Sequence, residues 1–542
     1  MTSRIIRWLM ASGAILACLF VSVGAQAQAQ TDDQVLLEVQ ALLVSPKAPD
    51  KTVAIERLAQ ANHSRALEIY SLLLDSRLYF NRTDDLLYII DNVAEGLPAL
   101  ALLSQETSLI EKRRDYRRVA INNAQRTQIR RVMAQTGLSH ERVDVRVGAV
   151  QQLMGDLDQD ALALIREAYV SETHARVRDL MAVALAIHTL SSDDEAAQRD
   201  AISVLGGSLE PRARVALVSF AETTEQSRLK TLSEQALVGI DQQVRFYRGL
   251  ETVFFGLSMG SVLVLAAIGL AITFGVMGVI NMAHGELIMI GAYTTFVIQQ
   301  LMPNHIGLSV LVAVPAAFIV SGLVGIAIER GVIRFLYGRP LETLLATFGV
   351  SLVLQQAVRS IFSPLNRTVQ TPEWMSGMLQ FNPVFSVTWN RLYIIFFCLM
   401  VFFLLLMILK RTALGLQVRA VSQNRAMARA MGVRSERVDM MTFGLGSGVA
   451  GIAGVALSQL TNVGPNLGQA YIIDSFMVVV FGGVGNIWGT LVAGMTLGVA
   501  NKFMEPWAGA VLAKILVLVF IILFIQKRPR GLFPQRGRAA EG

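Results

Sequence analysis

Three polar side chains of different chemistry lie within six residues of one another, between two long apolar segments. Asn281 carries an amide, His284 an imidazole and Glu286 a carboxylate. The apolar run before them, residues 253–279, is long enough to cross the roughly 30 Å hydrocarbon core of a bilayer. Polar groups at membrane depth are costly unless they face protein or a watery cavity. The three residues therefore predict either one wall of a solute path or a short hydrated turn.

The other polar side chains of the apolar segments are mainly hydroxyls and amides. We predict that four of them, together with Asn281, His284 and Glu286, line a translocation path or gate. These four are Thr273, Ser447, Thr461 and Asn462. Most ionisable side chains lie near the segment ends, where long side chains reach the interface. The inventory suits a small neutral or zwitterionic solute better than an ion.

Residue types that bind metals or form covalent intermediates are sparse in this sequence. Its two cysteines, Cys18 and Cys398, lie in separate apolar stretches, and its histidines have no ligand spacing. The chain has no Gly-x-x-x-x-Gly-Lys-[Ser/Thr] phosphate-binding loop, so it cannot hydrolyse ATP by that route. We expect no cofactor, no metal and no enzymatic activity.

Composition indicates an integral membrane protein with a substantial soluble portion. Of the 542 residues, 53% are hydrophobic. Residues 31–248 hold 26 basic and 31 acidic side chains, whereas residues 249–542 hold 20 and 10. Because the basic excess belongs to membrane loops, we expect contact with membrane lipid and no nucleic-acid partner.

Nine apolar segments follow one another after residue 249, and they predict an all-α, polytopic helical membrane domain over residues 249–530. They lie near 253–274, 285–302, 308–329, 341–362, 391–409, 438–461, 471–485, 487–503 and 508–526. The seventh is short for a crossing. Small-residue pairs such as Gly444-x-x-x-Gly448 and Gly494-x-x-x-Gly498 favour close helix packing.

The distribution of basic residues predicts the orientation. Fifteen of the twenty Lys and Arg residues after residue 248 fall in three connections, residues 330–339, 410–437 and 527–538. Alternating crossings put all three on one side, which the positive-inside bias makes cytoplasmic. The chain is therefore expected to be multi-pass in the bacterial inner membrane, with a cytoplasmic tail over residues 531–542.

The N-terminal part reads as a leader followed by a soluble domain. Residues 1–29 combine Arg4 and Arg7 with a short apolar run and an Ala-x-Ala series, the pattern of a secretory signal peptide. Cleavage would leave residues 30–248 in the periplasm. That domain has helical periodicity and no catalytic constellation, so we expect it to bind or dock a partner.

A weak repeat runs through this domain. The dipeptide Val145-Arg146 recurs as Val177-Arg178 and, more loosely, at residues 213–214. Such offsets suit a solenoid of stacked helix pairs. An irregular helical bundle is the alternative, because alanine-rich helices readily produce similar echoes.

Four motifs give residues 249–534 a family resemblance. They are FGVMGVINMAHGELIMIGAY at 274–293, RTALGLQVRAVSQNRAMARAMGV at 411–433, FGGVGNIWGT at 481–490 and KRPRGLFP at 527–534. In this order they resemble the permease subunits of ABC importers of the branched-chain amino-acid type. Residues 465–490 and 505–537 most resemble the permease of a urea importer, here with a large N-terminal extension.

The resemblance implies three partners: a second permease subunit, cytoplasmic ABC ATPase subunits and a periplasmic solute-binding protein. It also places a coupling helix in the basic loop, where Arg425, Ala428, Arg429 and Gly432 would contact the ATPase. The alternative for this loop is a basic anchor on anionic lipid.

Two kinds of function follow from these observations. One is a permease subunit for ATP-driven import, of urea or a related short amide by the closer resemblance, with branched-chain amino-acid import as an alternative. The other is an ATP-independent small-solute channel or a membrane sensor. The basic loop favours the first, because a channel does not need a docked helix.

Overall fold

A computed structural model describes residues 34–533, apart from residues 62, 64, 92, 105 and 156. The expected leader and residues 534–542 of the expected tail lie outside the described residues. The chain divides into two compact units, with the boundary along the sequence between Asp241 and Gln242. The predicted all-α class is confirmed in that the described residues are nearly all helical, with an N-terminal helical region followed by helices that could cross a membrane.

The first unit is built mainly from short helices. They are α1 (Gln34–Val44), α2 (Ala48–Gln60), α3 (Ala66–Leu74), α4 (Asn123–Leu138), α5 (Val143–Leu153), α6 (Gln159–Ser171), α7 (Ala175–Thr189), α8 (Glu195–Gly206) and α9 (Pro211–Thr223). A capping box begins α4, since Asn122 accepts from the Gln125 N–H at 2.8 Å and the Gln125 side chain accepts from the Asn122 N–H at 3.0 Å.

A five-stranded antiparallel sheet lies between α3 and α4 and was not predicted. Its strands are β1 (Leu78–Asn81), β2 (Leu87–Ile89), β3 (Pro98–Ala101), β4 (Thr107–Leu109) and β5 (Tyr116–Arg118), in the order β4-β3-β2-β1-β5. One face packs on the α1–α4 core through Leu78 and Leu87. The other face buries Tyr88, whose ring meets Tyr116 edge-on at 5.3 Å.

The predicted repeat falls on alternate helices. Its three copies lie near the starts of α5, α7 and α9, and each of these helices packs on its predecessor, α4, α6 or α8. Helices α5, α7 and α9 also contact one another in sequence. Arg146 pairs with Glu172 and Arg214 with Asp241, so two repeat arginines reach a carboxylate 26 or 27 residues further on.

The second unit contains the long apolar helices. They are α10 (Ser227–Met277, which begins in the first unit), α11 (His284–Leu301), α12 (Ile306–Gly331), α13 (Pro340–Phe362), α14 (Trp389–Arg411), α15 (Ala413–Gln423), α16 (Arg425–Ala430), α17 (Ser435–Ser458), α18 (Leu467–Gly482) and α19 (Ile487–Lys527). A two-stranded hairpin, β6 (Met378–Gln380) with β7 (Ser386–Thr388), precedes α14.

All nine predicted apolar segments fall on helices. Within residues 34–533, six helices are long and apolar enough to cross a membrane by length and composition: α10, α12, α13, α14, α17 and α19. Helix α19 holds the last two segments, because it breaks at Gly509, where φ is 76°. Its two ends lie together, since the Asn486 side-chain amide donates to the Phe533 carbonyl at 3.2 Å. The chain therefore reverses within α19.

Glycines set the spacing of the central helices. Helix α17 lies against α11 and α12, and a Cβ added to Gly291 of α11 would overlap the backbone of Gly451. The predicted small-residue pairs also lie at contacts, because Gly448 meets the Phe318 ring and Gly498 meets Gly260. Because glycine has no side chain, the helix backbones can approach closely at these contacts.

The basic connections gather at one end of this unit. Arg334, before α13, pairs with Glu436 at the start of α17 at 3.3 Å, and the Tyr337 hydroxyl donates to the Met277 carbonyl at 3.2 Å. Gly485, beside residues 531–533, contacts Gly275 near the end of α10. We call this end the basic end.

Candidate solute path

Helix α11 begins deep inside the bundle. The ring of His284, its first residue, bonds through Nε2 to the Ala266 carbonyl at 2.7 Å. Ala266 precedes Met277, the last residue of α10, by 11 residues, or about 16 Å of helix. The connection between the two helices therefore runs back alongside α10. Asn281 and His284 are at most 1% exposed, as expected for a connection without Lys or Arg.

This depth places the break between α10 and α11 beside the middle of α10 rather than at its end. The chain does not simply turn after Met277 and start a second full-length helix. Instead the turn after Met277 uses Gly278, at φ +67°, and residues 279–283 lead back toward the middle of α10. The two helices are thus joined by a re-entrant connection.

Backbone and side chains share the polar contacts of this connection. The Asn281 side-chain oxygen accepts from the Ala283 N–H at 3.0 Å, and the Met282 N–H donates to the Thr347 hydroxyl at 3.1 Å. Glu286 accepts from the Gln355 side-chain amide at 2.6 Å. Asn281, His284 and Glu286 are therefore gathered in one region, where each makes a different contact.

Helix α13 supplies a polar stripe that faces α11. The stripe consists of the buried side chains Thr343, Thr347, Ser351 and Gln355, spaced four residues apart. Leu345 and Val353, on the other faces of α13, are about 70% exposed, at 71% and 68%. This stripe was not predicted from the sequence, although polar residues spaced four apart along a helix share one face. We call the contact between the stripe and the start of α11 the α11–α13 seam.

Several buried polar atoms at the seam have no hydrogen-bond partner within the described part of the chain. They are Nδ2 of Asn281, Nδ1 of His284, Oε2 of Glu286 and the Tyr293 hydroxyl. Buried polar groups are normally satisfied, and in a bilayer the cost of an unsatisfied group is several kcal/mol. Of these atoms, Oε2 of Glu286 can accept N–H groups from a small polar solute that enters the seam.

A second helix also begins beside this region. A Cβ on Gly285, in the first turn of α11, would lie 2.6 Å from the carbonyl oxygen of Gly468, in the first turn of α18. The N-cap residues Ala283 and Asn466 form no side-chain cap. Two helix N-termini, each with a partial positive charge, therefore meet beside the Glu286 carboxylate.

The remaining predicted path residues are placed differently. Thr273 is buried, but its hydroxyl donates to carbonyls of its own helix, at Gly269 and Leu270. Ser447 is buried against Gly325 of α12. Thr461 and Asn462 lie exposed beyond the end of α17, outside the seam.

The predicted coupling loop forms two short helices, α15 and α16. Asn424 caps α16 by accepting from the Met427 N–H at 2.9 Å, and Gly432 follows it at φ +86°. Ala428 is 6% exposed and packs with Val418, Val421 and Val438. Its side chain is therefore turned toward neighbouring helices of the same chain.

The large apolar side chains exposed at α16 are Met427 and, directly after the helix, Met431, which are 61% and 77% exposed. Arg429 donates to the Ser435 hydroxyl at 2.7 Å. Arg425 pairs with Asp439 at the start of α17, and its guanidinium lies over the Tyr337 ring. Both arginines thus brace α16 against its neighbours.

Comparison with known proteins places the second unit in a family. Residues 252–525 match the family described as the permease component of the branched-chain amino acid transport system. The high-affinity branched-chain amino acid transport permease BraD of Pseudomonas aeruginosa is 31% identical over 295 residues, covering 53% of this chain and 96% of that protein.

Two further relatives carry the same kind of name. LivH of Salmonella typhimurium is 30% identical, covering 53% of this chain and 96% of its own length. A probable LivH of Methanocaldococcus jannaschii is 24% identical, with coverages of 50% and 88%. No solved structure gives a significant match. Since the family match begins at residue 252, the first unit lies outside the matched region. Through its second unit, the chain belongs to the family of branched-chain amino acid transport permease components.

Proposed function

We propose that this chain is the membrane permease subunit of an ATP-driven importer and that solute crosses at the α11–α13 seam. The observation that carries the proposal is the buried Glu286–Gln355 pair. It lies next to two helix N-termini, among polar atoms that have no hydrogen-bond partner in the described part of the chain. Membrane proteins place polar groups at such depth where they face a solute or a watery cavity.

The proposed partners are those that the family resemblance implies. A separate ATPase would dock on α16, because this chain has no phosphate-binding loop of its own. The exposed Met427 and Met431 suit a helix seated in a groove. A second permease subunit and a periplasmic solute-binding protein would complete the importer.

The proposed orientation puts the basic end in the cytoplasm and the first unit in the periplasm. Its support is the positive-inside bias, which concerns Lys and Arg in short connections such as residues 330–339 and 410–437. The localisation that follows is the bacterial inner membrane.

For the solute we propose urea or a related short amide, on the resemblance of residues 465–490 and 505–537. The seam suits this chemistry, since the Glu286 carboxylate accepts N–H groups and the helix N-termini donate to a carbonyl oxygen. Branched-chain amino acids are the second candidate, because the relatives BraD and LivH are named for their transport. Their ammonium and carboxylate groups could use the same atoms.

The test is uptake of labelled urea and labelled leucine by proteoliposomes that contain the complete complex. We expect ATP-dependent urea uptake, and about a tenfold lower rate in Glu286→Gln, because the amide loses the charge that accepts N–H groups most strongly. Uptake of leucine without urea would support the second candidate. Uptake that needs no ATP would instead support a channel.

A further inference from the structure

Tyr337 joins α16 to the end of α10. Its hydroxyl donates to the Met277 carbonyl at 3.2 Å, and the Arg425 guanidinium lies 3.8 Å from the centre of its ring. Arg425 is the first residue of α16 and is itself held by Asp439. Met277 is the last helical residue before the connection that carries Asn281. A chain of direct contacts thus runs from α16 to the re-entrant connection.

An apolar contact follows the same route. Val276, beside Met277, packs on the cluster formed by Val418, Val421, Ala428 and Val438. Buried side chains transmit displacement because protein interiors are close-packed. A movement of α16 must therefore either carry Val276 with it or open this cluster.

Gly278 lets the end of α10 move relative to the connection. Its φ of +67° is open to glycine with little strain, and an added Cβ would meet no heavy atom within 4 Å. From there the connection leads through Asn281 to His284 and the seam.

We propose that Tyr337 is a positioning residue that transmits displacement of α16 through Met277 to the α11–α13 seam. The inference rests on the proposed function in one respect, namely that α16 receives the ATPase. The Tyr337 hydroxyl fixes the Met277 carbonyl, while Arg425 fixes the Tyr337 ring. Neither side chain needs to touch solute or ATPase to act in this way.

The experiment uses Tyr337→Phe in the complete complex, reconstituted in proteoliposomes. Phenylalanine keeps a ring beneath Arg425 and removes only the bond to Met277. We expect ATPase copurification to be unchanged and uptake per ATP hydrolysed to fall about fivefold, the size expected for one hydrogen bond of about 1 kcal/mol. Amide hydrogen exchange at residues 277–284 should become faster.

A matched control is Tyr393→Phe on α14. Tyr393 contacts the Trp374 and Trp389 rings, and no hydrogen bond of its hydroxyl is found among the described residues. This variant should match wild type in copurification, uptake and exchange. Arg425→Lys is a second test variant, since it keeps the charge opposite Asp439 but loses the planar contact with Tyr337. It should also lower uptake per ATP.

The possible results distinguish a failure of the role of Tyr337 from a failure of the proposed function. Wild-type uptake per ATP in Tyr337→Phe, with the ATPase still bound, overturns the role of Tyr337 and leaves the proposed function standing. Loss of ATPase binding in that variant assigns Tyr337 to the docking surface and also overturns the inference. If Tyr337→Phe does not accumulate, Arg425→Lys supplies the test. Wild-type uptake per ATP hydrolysed in that variant overturns the proposed transmission from α16 through Tyr337. A wild-type chain that binds no ATPase overturns both proposals.

Discussion

Asn281 and His284 hold the re-entrant connection through bonds to backbone groups rather than to each other. Asn281→Ala leaves the Ala283 N–H without its partner, at a cost of about 1–3 kcal/mol. His284→Ala removes the bond that ties the start of α11 to the Ala266 carbonyl of α10. We expect both variants to lower the maximal transport rate with little change in the half-saturating solute concentration. Transport kinetics in proteoliposomes measure both quantities.

The control for these variants is Thr294→Ala on α11, whose hydroxyl donates only to the Ile290 carbonyl of its own helix. It should transport at the wild-type rate. A large rise in the half-saturating concentration at unchanged maximal rate, in Asn281→Ala or His284→Ala, would place that residue in the solute-binding site instead.

In the first unit, Arg146 and Glu172 form a partly buried ion pair. The Arg146 Nε donates to Glu172 at 2.8 Å, and the two side chains are 15% and 6% exposed. Arg146 also donates to the His140 carbonyl at 2.7 Å. Arg146→Leu leaves the partly buried carboxylate with the His174 N–H but without its guanidinium partner, and it should destabilise this unit by about 1–3 kcal/mol. Hydrogen exchange on the full-length protein measures the loss.

A matched control is Arg142→Leu, because Arg142 pairs with Asp144 at the surface, with side-chain exposures of 70% and 66%. Exposed pairs contribute about 0–1 kcal/mol, so this variant should resemble wild type. Equal effects of the two substitutions would show that burial of the Arg146 pair has no consequence.

The Arg146–Glu172 pair also predicts a pH dependence. Burial opposes ionisation of Glu172, but the His174 N–H and the Arg146 guanidinium outweigh it, so its pKa is lowered from the ordinary 4.5. A lowered pKa means that the folded state binds fewer protons than the unfolded state. The stabilisation is complete above pH 4.5 and is lost as pH falls through the lower, folded-state pKa. Hydrogen exchange across this range should be less pH-dependent in Arg146→Leu.

At the scale of elements, long apolar segments were predictable and short strands were not. A run of about 20 apolar residues has few alternatives to a membrane helix. The strands β2, β4 and β5 have three residues each, too few for a period of two to emerge from the sequence. The sheet is held by cross-strand pairing and by burial of Leu78 and Leu87, which depend on distant helices.

The candidate site was predictable only in part. The cluster of Asn281, His284 and Glu286 was visible because polar residues interrupt an apolar stretch. Gln355, which pairs with Glu286, was not, because its partner is 69 residues away in sequence. Likewise, the inward direction of Ala428 depends on how α15 and α17 pack around α16.

The glycine contact between α11 and α17 carries a prediction of its own. In Gly291→Ala the new methyl group would overlap the backbone of Gly451, so the helices must separate. We expect a loss of about 1–3 kcal/mol, the usual cost of overpacking. Gly349→Ala on α13 is the control, because a Cβ there meets no heavy atom within 4 Å. Thermal unfolding in detergent should separate the two, and equal stability would contradict the close approach.

At the scale of the whole molecule, the proposed orientation can be tested with single cysteines. Ser191→Cys lies on an exposed turn between α7 and α8, and Gln423→Cys lies at the exposed end of α15. The native Cys398 is buried. An impermeant maleimide should label Ser191→Cys on intact spheroplasts and Gln423→Cys only after lysis. The reverse pattern would invert the topology.

The depth at which α11 and α18 begin also bears on how the protein is made. Neither helix is long and apolar enough to be recognised alone as a span; α11 starts with His284 and Glu286, and α18 has 16 residues. Both helices pack against glycines of neighbouring helices. One of these is Gly451 of α17, which is synthesised after α11. Nascent chains that stop before α17 should therefore leave α11 outside the hydrocarbon core. We therefore expect tertiary folding to complete insertion into the bilayer, with translation order setting when α11 and α18 can enter.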